Sequence, residues 1–300
     1  MTMLPSAFTN LLDISEVIDD VIFQKYNEYK GVYEQYLNVG SIDKASASSL
    51  EVAAFGAAPQ IPVGNSLYID EAIQGSDKQY PVLDYAMGFR LHQNLIDDDK
   101  KDVVNRFAST LPRSFNSTVA QLGANLLNNG FTVANGIDGK YLFATDHPLI
   151  GGGTYSNYST ASLSTTAIWA AINSMRMTTD DRGLLIDIEP ENLIVSPSLE
   201  KLASQLMGTT RGEPGTANND MNSLQGQLKV IVDRRLTDSN AWFITAAKND
   251  HSLRMKWRKK FYTGVHQEPL SFSVVNYGRM RLVVYQDGWR GTYGSIGTVA

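Results

Sequence analysis

The sequence lacks cysteine altogether among its 300 residues, which excludes disulfides, thiolate metal sites and cysteine nucleophiles. Long hydrophobic runs are also missing, since no stretch reaches the roughly 18 apolar residues needed to span a bilayer. The opening residues, MTMLPSAFTN, have neither the basic nor the apolar region of a signal peptide. We therefore expect a chain without membrane partners, whose stability comes from packing and association.

Excess positive charge is absent as well. The net charge is −5 and the sequence pI is about 5.4, which argues against a general affinity for nucleic acid. Any contact with DNA would have to be local and non-specific.

Catalytic motifs are missing too. The glycines at 151–153 are not followed by the Lys-Ser or Lys-Thr of a phosphate loop, and there is no GxSxG elbow. Asp146 beside His147 could form half of an acid–base pair, but Pro148 favours a turn there. The four histidines are widely spaced and form no HExxH pattern: His92, His147, His251 and His266. The sequence thus predicts no catalytic, cofactor-binding or metal-binding residue, and no cofactor.

The strongest pattern that is present predicts a long helix over residues 97–130. Three carboxylates at 97–99 suit its positive end, and residues 128–130, Asn-Asn-Gly, suit its C-terminus. Apolar residues recur every three or four positions along it, at Val103, Val104, Phe107, Leu111, Phe115, Val119, Leu122 and Leu126. Because Pro112 removes a backbone N–H, we expect a bend or short break near Leu111.

The N-terminal part predicts an amphipathic helix or pair of helices interrupted at Gly31. Its stripe starts with Ile14, Val17, Ile18, Val21 and Ile22 and continues as tyrosines at 26, 29, 33 and 36. The tyrosines fit either core packing or an interface where hydroxyls stay solvated.

Residues 38–80 change character, with alanine, serine, glycine and proline dominant. Such a segment usually forms a functional loop or arm, and a disordered linker is the alternative. Residues 66–69 and 79–83 are predicted to pair as a long hairpin. Alternation over residues 85–95 then predicts a strand that leads into the long helix.

In the second half, Ser164 or Thr165 is predicted to cap a helix that buries Ile168, Ile172 and Met175 and is ended by residues 180–183. Residues 193–195 predict a buried strand, followed by Ser196-Pro197 and a helix that stops at Gly208. That helix is expected to bury Leu199, Leu202, Ala203 and Leu206. Residues 209–222 form a polar loop. Strands are predicted at 228–232, 241–245, 253–262, 272–277 and 280–285, which together indicate an α+β fold.

A basic run on the strand at 253–262 alternates with large apolar residues: Arg254, Lys256, Arg258, Lys259 and Lys260 interleave with Met255, Trp257 and Phe261. Alternation is typical of a half-buried strand. We expect the charged face to bond acidic neighbours, and a nucleic-acid stripe is the alternative.

Taken together, the sequence resembles the major capsid proteins of tailed bacteriophages with the Hong Kong 97 fold, and within them the head subunits of Mu-like phages. The elements occur in that family's order along nearly the whole chain. Local similarities are KYLFATDHPL at 140–149, ENLIVSPSLEKLASQLM at 191–207, LTDSNAWFI at 236–244 and VVYQDGWRGTYGS at 283–295. Pro112 within the long helix departs from the pattern.

The resemblance implies five segments: an N-terminal arm (1–37), an extended loop (38–83), a peripheral domain with the spine helix (84–134), an axial domain (135–250) and return strands of the peripheral domain (251–300). It implies a subunit that self-assembles into hexamers and pentamers of an icosahedral head around double-stranded DNA. The loop at 209–222 would lie near the capsomer axis.

The implied partners are further copies of the chain, portal and scaffold proteins, a decoration protein and packaged DNA. The implied location is the virion capsid, after assembly in the host cytoplasm. Two alternatives remain: an encapsulin-like nanocompartment shell, and an enzyme with a dispersed site.

Some members of the fold join subunits by an isopeptide bond from a loop lysine. Here only Lys44 and Lys78 lie in or near the loop, and Lys78 is expected to stay solvated, so the sequence predicts no cross-link.

Overall fold

The computed structural model describes residues 22–92, 94, 101–208, 222–268 and 273–298. Residues 22–27 are helical, and four labelled helices follow: α1 (Tyr33–Tyr36), α2 (Lys101–Asn128), α3 (Thr165–Arg176) and α4 (Glu200–Gly208). The strands of the first half are β1 (Asn38–Ser41), β2 (Ser46–Ala53), β3 (Ile73–Pro81), β4 (Leu83–His92), β5 (His147–Pro148), β6 (Thr154–Tyr155) and β7 (Tyr158–Ser159). Those of the second half are β8 (Pro190–Val195), β9 (Lys229–Val232), β10 (Trp242–Ala246), β11 (Leu253–Glu268), β12 (Ser273–Gln286) and β13 (Thr292–Ser295). The predicted α+β class is confirmed.

One sheet has the strand order β1-β11-β12-β4, with β1 parallel and the other pairs antiparallel. Its apolar face packs on α2. Met255, Trp257, Met280 and Leu282 are all buried, because alternate residues of a strand point to one face. They share one core with Leu111, Phe115 and Val119 of α2, which recur at helical spacing.

The helix α2 is continuous over its 28 residues and contains Pro112. The predicted short break near Leu111 is therefore wrong, while the alternative, a bend, stays a prediction. The three carboxylates at 97–99 lie outside the described residues. Helix continuity survives because packing on the sheet outweighs one missing backbone hydrogen bond: the stripe buries Leu111, Phe115 and Val119 on both sides of the proline.

A second sheet has the order β7-β13-β10-β8-β9 and is covered by α3 and α4. Ser164 caps α3 as predicted, since its Oγ accepts the Ala167 N–H at 3.2 Å. Ile168, Ile172 and Met175 are buried, but α3 ends at Arg176 and not at 180–183. In α4 Ala203 and Leu206 are buried, whereas Leu202 is exposed and Met207 takes its place in the core. Of the predicted polar loop at 209–222, residues 209–221 lie outside the described residues.

Two further predictions change with the structure. The predicted strands at 272–277 and 280–285 are one strand, β12, because Gly278 and Arg279 continue the antiparallel register with β11 and β4. The predicted pairing of residues 66–69 with 79–83 is wrong: residues 66–69 are not in a strand, and the hairpin is formed by β2 and β3. Backbone pairing forms this hairpin without the apolar alternation on which a sequence prediction depends.

The tyrosine stripe contains both buried and exposed side chains. Residues 28–32 interrupt the helices, as predicted around Gly31. Tyr33 and Tyr36 are buried in the core, and the Tyr36 hydroxyl donates to Asp233 Oδ2 at 2.8 Å. Tyr29 is exposed. The earlier part of the stripe, residues 14–21, lies outside the described residues.

Candidate assembly surface

The hairpin β2–β3 is anchored at its root against β12. Tyr80 of β3 stacks on Tyr285 with 4.8 Å between ring centroids, and its hydroxyl donates to the Gln286 carbonyl at 2.9 Å. Ala47 and Val82 complete this small buried cluster. The Lys78 ammonium donates to the Gly136 carbonyl at 3.1 Å. The root of the hairpin is thus fixed to the rest of the subunit.

The far end of the hairpin carries apolar side chains that the described part of the chain leaves exposed. We call residues 50–73 the hairpin tip. Val63 is fully exposed, Ile69 is 81 % exposed and Leu67 is 76 % exposed. The remaining exposed apolar side chains of the tip are Leu50, Val52, Phe55, Ile61, Tyr68 and Ile73. Contiguous exposure of this kind marks an interaction surface, because water contact with so much apolar area is unfavourable.

The tip nevertheless has a defined conformation. Asp70 Oδ2 accepts the Gly56 N–H at 2.9 Å, and this hydrogen bond is the main cause that lowers the pKa of Asp70. Arg182, from the loop after α3, donates to the Glu71 carbonyl at 2.6 Å and lies 3.6 Å from Asp70. A cavity of about 380 Å³ opens between the two branches of the tip, lined mostly by Phe55, Pro59, Ile61, Leu67, Tyr68 and Ile69.

The polar groups that the sequence singled out do not converge into a catalytic site. His147 does not use Asp146, which forms an ion pair with Lys140. It is fully buried, and its Nδ1 lies 2.6 Å from Asp138 Oδ2. Its ring stacks on Trp289. Burial would raise the pKa of Asp138, but the hydrogen bonds from His147 and from the Lys140 backbone outweigh it and lower that pKa.

Asn157 completes this buried cluster. Its side-chain amide donates to the Leu142 carbonyl at 2.8 Å, and its Oδ1 accepts the Ala144 N–H at 3.0 Å and lies 3.1 Å from His147 Nε2. The cluster therefore ties two loop segments to each other and has no open side toward a substrate. Sequence analysis missed it because Asp138, His147 and Asn157 follow no spacing that indicates contact.

The other histidines lie apart. His251 is buried, and its Nδ1 accepts the Leu253 N–H. Its Nε2 has no hydrogen-bond partner among the described residues. His92 and His266 are exposed on strands β4 and β11. Within the described ranges, no group of three or more His, Asp or Glu side chains could hold a metal ion. No helix in the described part of the chain is long and apolar enough to cross a membrane.

The basic run behaves in part as predicted. Met255, Trp257 and Phe261 are buried, and the charged residues between them are half-buried or exposed. Arg254 forms an ion pair with Asp287. Arg279 of the neighbouring strand donates to Asp84 with 2.9 Å from Nε to Oδ1, and these hydrogen bonds lower the pKa of Asp84.

Lys78 differs from the prediction, because its side chain is half-buried and donates a hydrogen bond to the Gly136 carbonyl, whereas the sequence predicted a solvated ammonium.

Comparison with known proteins gives a family. The family described as phage capsid protein matches residues 75–296. No curated protein sequence matches the chain. Among solved structures, the capsid of bacteriophage JBD30 decorated with minor capsid protein trimers is similar, with a TM-score of 0.58, 16 % identity, and coverage of 70 % of this chain and 92 % of that chain.

Two other structures extend the likeness. The capsid of the native GTA particle has a TM-score of 0.57 at 12 % identity and covers 89 % of this chain and 90 % of its own. The virus-like particle from Pyrococcus furiosus has a TM-score of 0.52 at 9 % identity, with 93 % and 98 % covered. At these identities the likeness shows the fold alone, which is the predicted Hong Kong 97 fold; no match singles out the Mu-like subfamily.

Proposed function

The chain belongs to the phage capsid protein family, and from that premise we propose that its copies form the hexamers and pentamers of an icosahedral tailed-phage head around double-stranded DNA. A capsid protein is a structural component of the virion. The observation that carries the proposal is the hairpin tip, whose apolar side chains are exposed although the hairpin is anchored to its own subunit at the root and through Arg182. A shell subunit can bury such a surface against the next copy.

The segment assignment follows the same proposal. Residues 1–37 would be the N-terminal arm, 38–83 the extended loop, 84–134 and 251–300 the peripheral domain, and 135–250 the axial domain around the capsomer axis. One observation supports it: the described residues form two large hydrophobic cores. The first joins α2 and the first sheet to one face of the second sheet, through Ile194, Ile231 and Phe243. The second lies between the other face of the second sheet and the helices α3 and α4. Residues 209–222 would then line the axis.

The proposed partners are other copies of the chain, portal and scaffold proteins, a decoration protein and packaged DNA in non-specific contact. Assembly would take place in the host cytoplasm. We also propose that the chain has no catalytic activity and needs no cofactor. The buried and inward-facing arrangement of Asp138, His147 and Asn157 supports this, because these polar side chains are used to hold loops together.

An encapsulin-like shell remains the second candidate, favoured by the coverage of the Pyrococcus furiosus virus-like particle. The match to the phage capsid family over residues 75–296 weighs against it. The two candidates differ in content, since a phage head holds DNA and a nanocompartment holds protein cargo.

Electron microscopy of the purified protein, expressed alone and with its scaffold, tests the proposal. We expect closed shells or ring-shaped capsomers, with interfaces above the ~1,600 Å² of an ordinary specific complex. A protein that stays monomeric at high concentration in sedimentation would refute it. Shells that contain a single co-purified protein and exclude DNA would favour the nanocompartment.

A further inference from the structure

Three consecutive basic residues, Arg258, Lys259 and Lys260, lie on a stretch of β11 whose outer edge pairs with no other strand among the described residues. We call them the basic triplet. The parallel strand β1 pairs with β11 only as far as Trp257, and the register with β12 shifts on both sides of Lys259. The side chains of Lys259 and Lys260 are exposed as a result.

The basic triplet has no acidic partner among the described residues. Asp84, the nearest acid across β12, already binds Arg279 and lies 3.8 Å from Arg281. Lys259 lies over the Tyr262 ring at 4.4 Å. Arg258 Nη1 is buried and has no hydrogen-bond partner in the part of the chain that the structure describes. A buried guanidinium donor without a partner is unfavourable, so this edge is suited to an anionic group.

The chain supplies such a group close by. Residues 1–21, which lie outside the described residues, contain four carboxylates, Asp13, Glu16, Asp19 and Asp20, and no lysine or arginine. Three of them, at 13, 16 and 20, have the spacing of one helix face.

The first described residues of the chain, in the helical segment 22–27, contact the residue that follows the basic triplet. Phe23 meets Phe261 edge-on with 6.1 Å between ring centroids, and Tyr26 stacks on the same ring at 4.5 Å. Phe261 directly follows Lys260. Three residues of chain span at most about 11 Å, which limits the distance of Asp20 from Phe23, and Phe23 contacts the residue that follows the triplet.

We propose that the acidic segment 13–20 docks on the basic triplet of its own chain and supplies the missing partner of Arg258. The short tether favours this segment over other anions, because it holds the carboxylates at a high effective concentration. Docking would also bring the apolar stripe of Val17, Ile18 and Val21 toward Phe23, whose side chain is 39 % exposed. This inference does not depend on shell formation and can be tested on soluble subunits.

A water-soluble carbodiimide, which joins a carboxylate to an amine that it contacts, tests the docking on the full-length, nuclease-treated protein. Peptide mass spectrometry should find Lys259 or Lys260 joined to a carboxylate of 13–20. The yield should fall several-fold in ~1 M salt, where the Debye length is ~3 Å. Lys229, equally exposed on β9, is the matched control and should show no such link. Mixing isotope-labelled and unlabelled protein separates links within one chain from links between copies.

Three outcomes would overturn the proposal. Links of Lys259 and Lys260 only to carboxylates outside 13–20, or no links at all, would show that the arm does not dock there. Links only between labelled and unlabelled chains would show that segment 13–20 docks on a second copy of the chain. The third outcome combines two results: no links to residues 13–20, and a loss of affinity for a double-stranded DNA fragment in the variant Lys259→Ser/Lys260→Ser. It would show that the basic triplet binds nucleic acid.

Discussion

At the scale of single residues, buried polar groups with long-range partners hold the subunit together. Tyr36 and Asp233 are 197 positions apart and join the N-terminal part to the loop after β9. Burial, followed by the nearby Asp233 charge, raises the pKa of Tyr36 well above its usual value, so the hydroxyl stays protonated and donates. Asp233 Oδ1 also accepts the Arg235 N–H.

We predict that Tyr36→Phe lowers the free energy of unfolding by ~1.5–3 kcal/mol, because the buried carboxylate of Asp233 loses a hydrogen-bond donor. Tyr29→Phe is the matched control, since Tyr29 is 39 % exposed, and should change it by less than ~0.5 kcal/mol. Urea denaturation of the soluble subunit measures both. Equal effects of the two variants would contradict the role given to Tyr36.

His251 makes stability depend on pH. Burial, with a smaller contribution from Arg254, lowers the pKa of His251 from 6.5 to about 4. The unfolded chain therefore binds more protons than the folded chain between these values, and the free energy of unfolding falls as pH drops from about 6.5 toward 4. At ~1.4 kcal/mol per pH unit, the loss is on the order of 2–3 kcal/mol.

The variant His251→Asn tests this prediction, because Asn can accept the Leu253 N–H and does not titrate. Denaturation between pH 7 and pH 4.5 should show a shallower decline for the variant than for the unaltered chain. Parallel declines would mean that other groups cause the pH dependence.

At the scale of elements, the spine helix α2 needs a close approach of α1. A Cβ placed on Gly123 would lie 2.8 Å from Tyr33 Cβ and 3.3 Å from Leu37 Cδ1. Both neighbours are buried, so neither can move without disturbing the core.

We predict that Gly123→Ala destabilises the subunit by ~1–3 kcal/mol through overpacking, despite the higher helix propensity of alanine. Gly208→Ala at the end of α4 is the matched control, because a Cβ there meets no atom of the described residues within 4 Å. Its stability should be unchanged or slightly higher. Thermal unfolding of both variants gives the comparison, and a neutral Gly123→Ala would show that α1 can shift away from α2.

The elements also show how much could be predicted from the sequence. Periodicity located α2 and the buried face of α3, because regular apolar spacing directly reflects which face is buried. It failed for β2 and β3, where serine, glutamine and lysine carry no apolar pattern and backbone pairing sets the register. It also could not bring Asp138 to His147, since contacts between loops depend on the tertiary fold.

At the scale of the whole molecule, the hairpin tip should decide whether copies associate. We predict that Leu67→Ser/Ile69→Ser leaves the subunit folded and soluble but prevents shell formation. Both side chains are mostly exposed in the subunit, so their loss costs the isolated chain little, whereas an interface would lose most of their burial energy. Circular dichroism checks the fold and electron microscopy checks assembly. Normal shells from this variant would show that the hairpin tip does not contribute to the interface.

The last prediction is that assembled particles are held together without covalent bonds. An isopeptide bond needs a lysine amine that is free to attack a side chain of another copy. A potential base is present on this hairpin, because burial raises the pKa of Glu51. The amine is not free: the Lys78 ammonium donates to the Gly136 carbonyl of its own chain and lies 5.5 Å from the Tyr80 ring centroid. Lys44 lies in the turn before β2, at the root of the hairpin and far from its tip.

Boiling purified particles in denaturing detergent checks this directly. We expect a single band near the 33.1 kDa mass of the chain, because packing at the hairpin tip and salt-sensitive ion pairs are both lost in detergent. Lys78→Arg should give the same band, since arginine preserves the charge and offers no amine for the bond. A ladder of multimers that disappears in Lys78→Arg would contradict the prediction and identify Lys78 as the residue that links the copies.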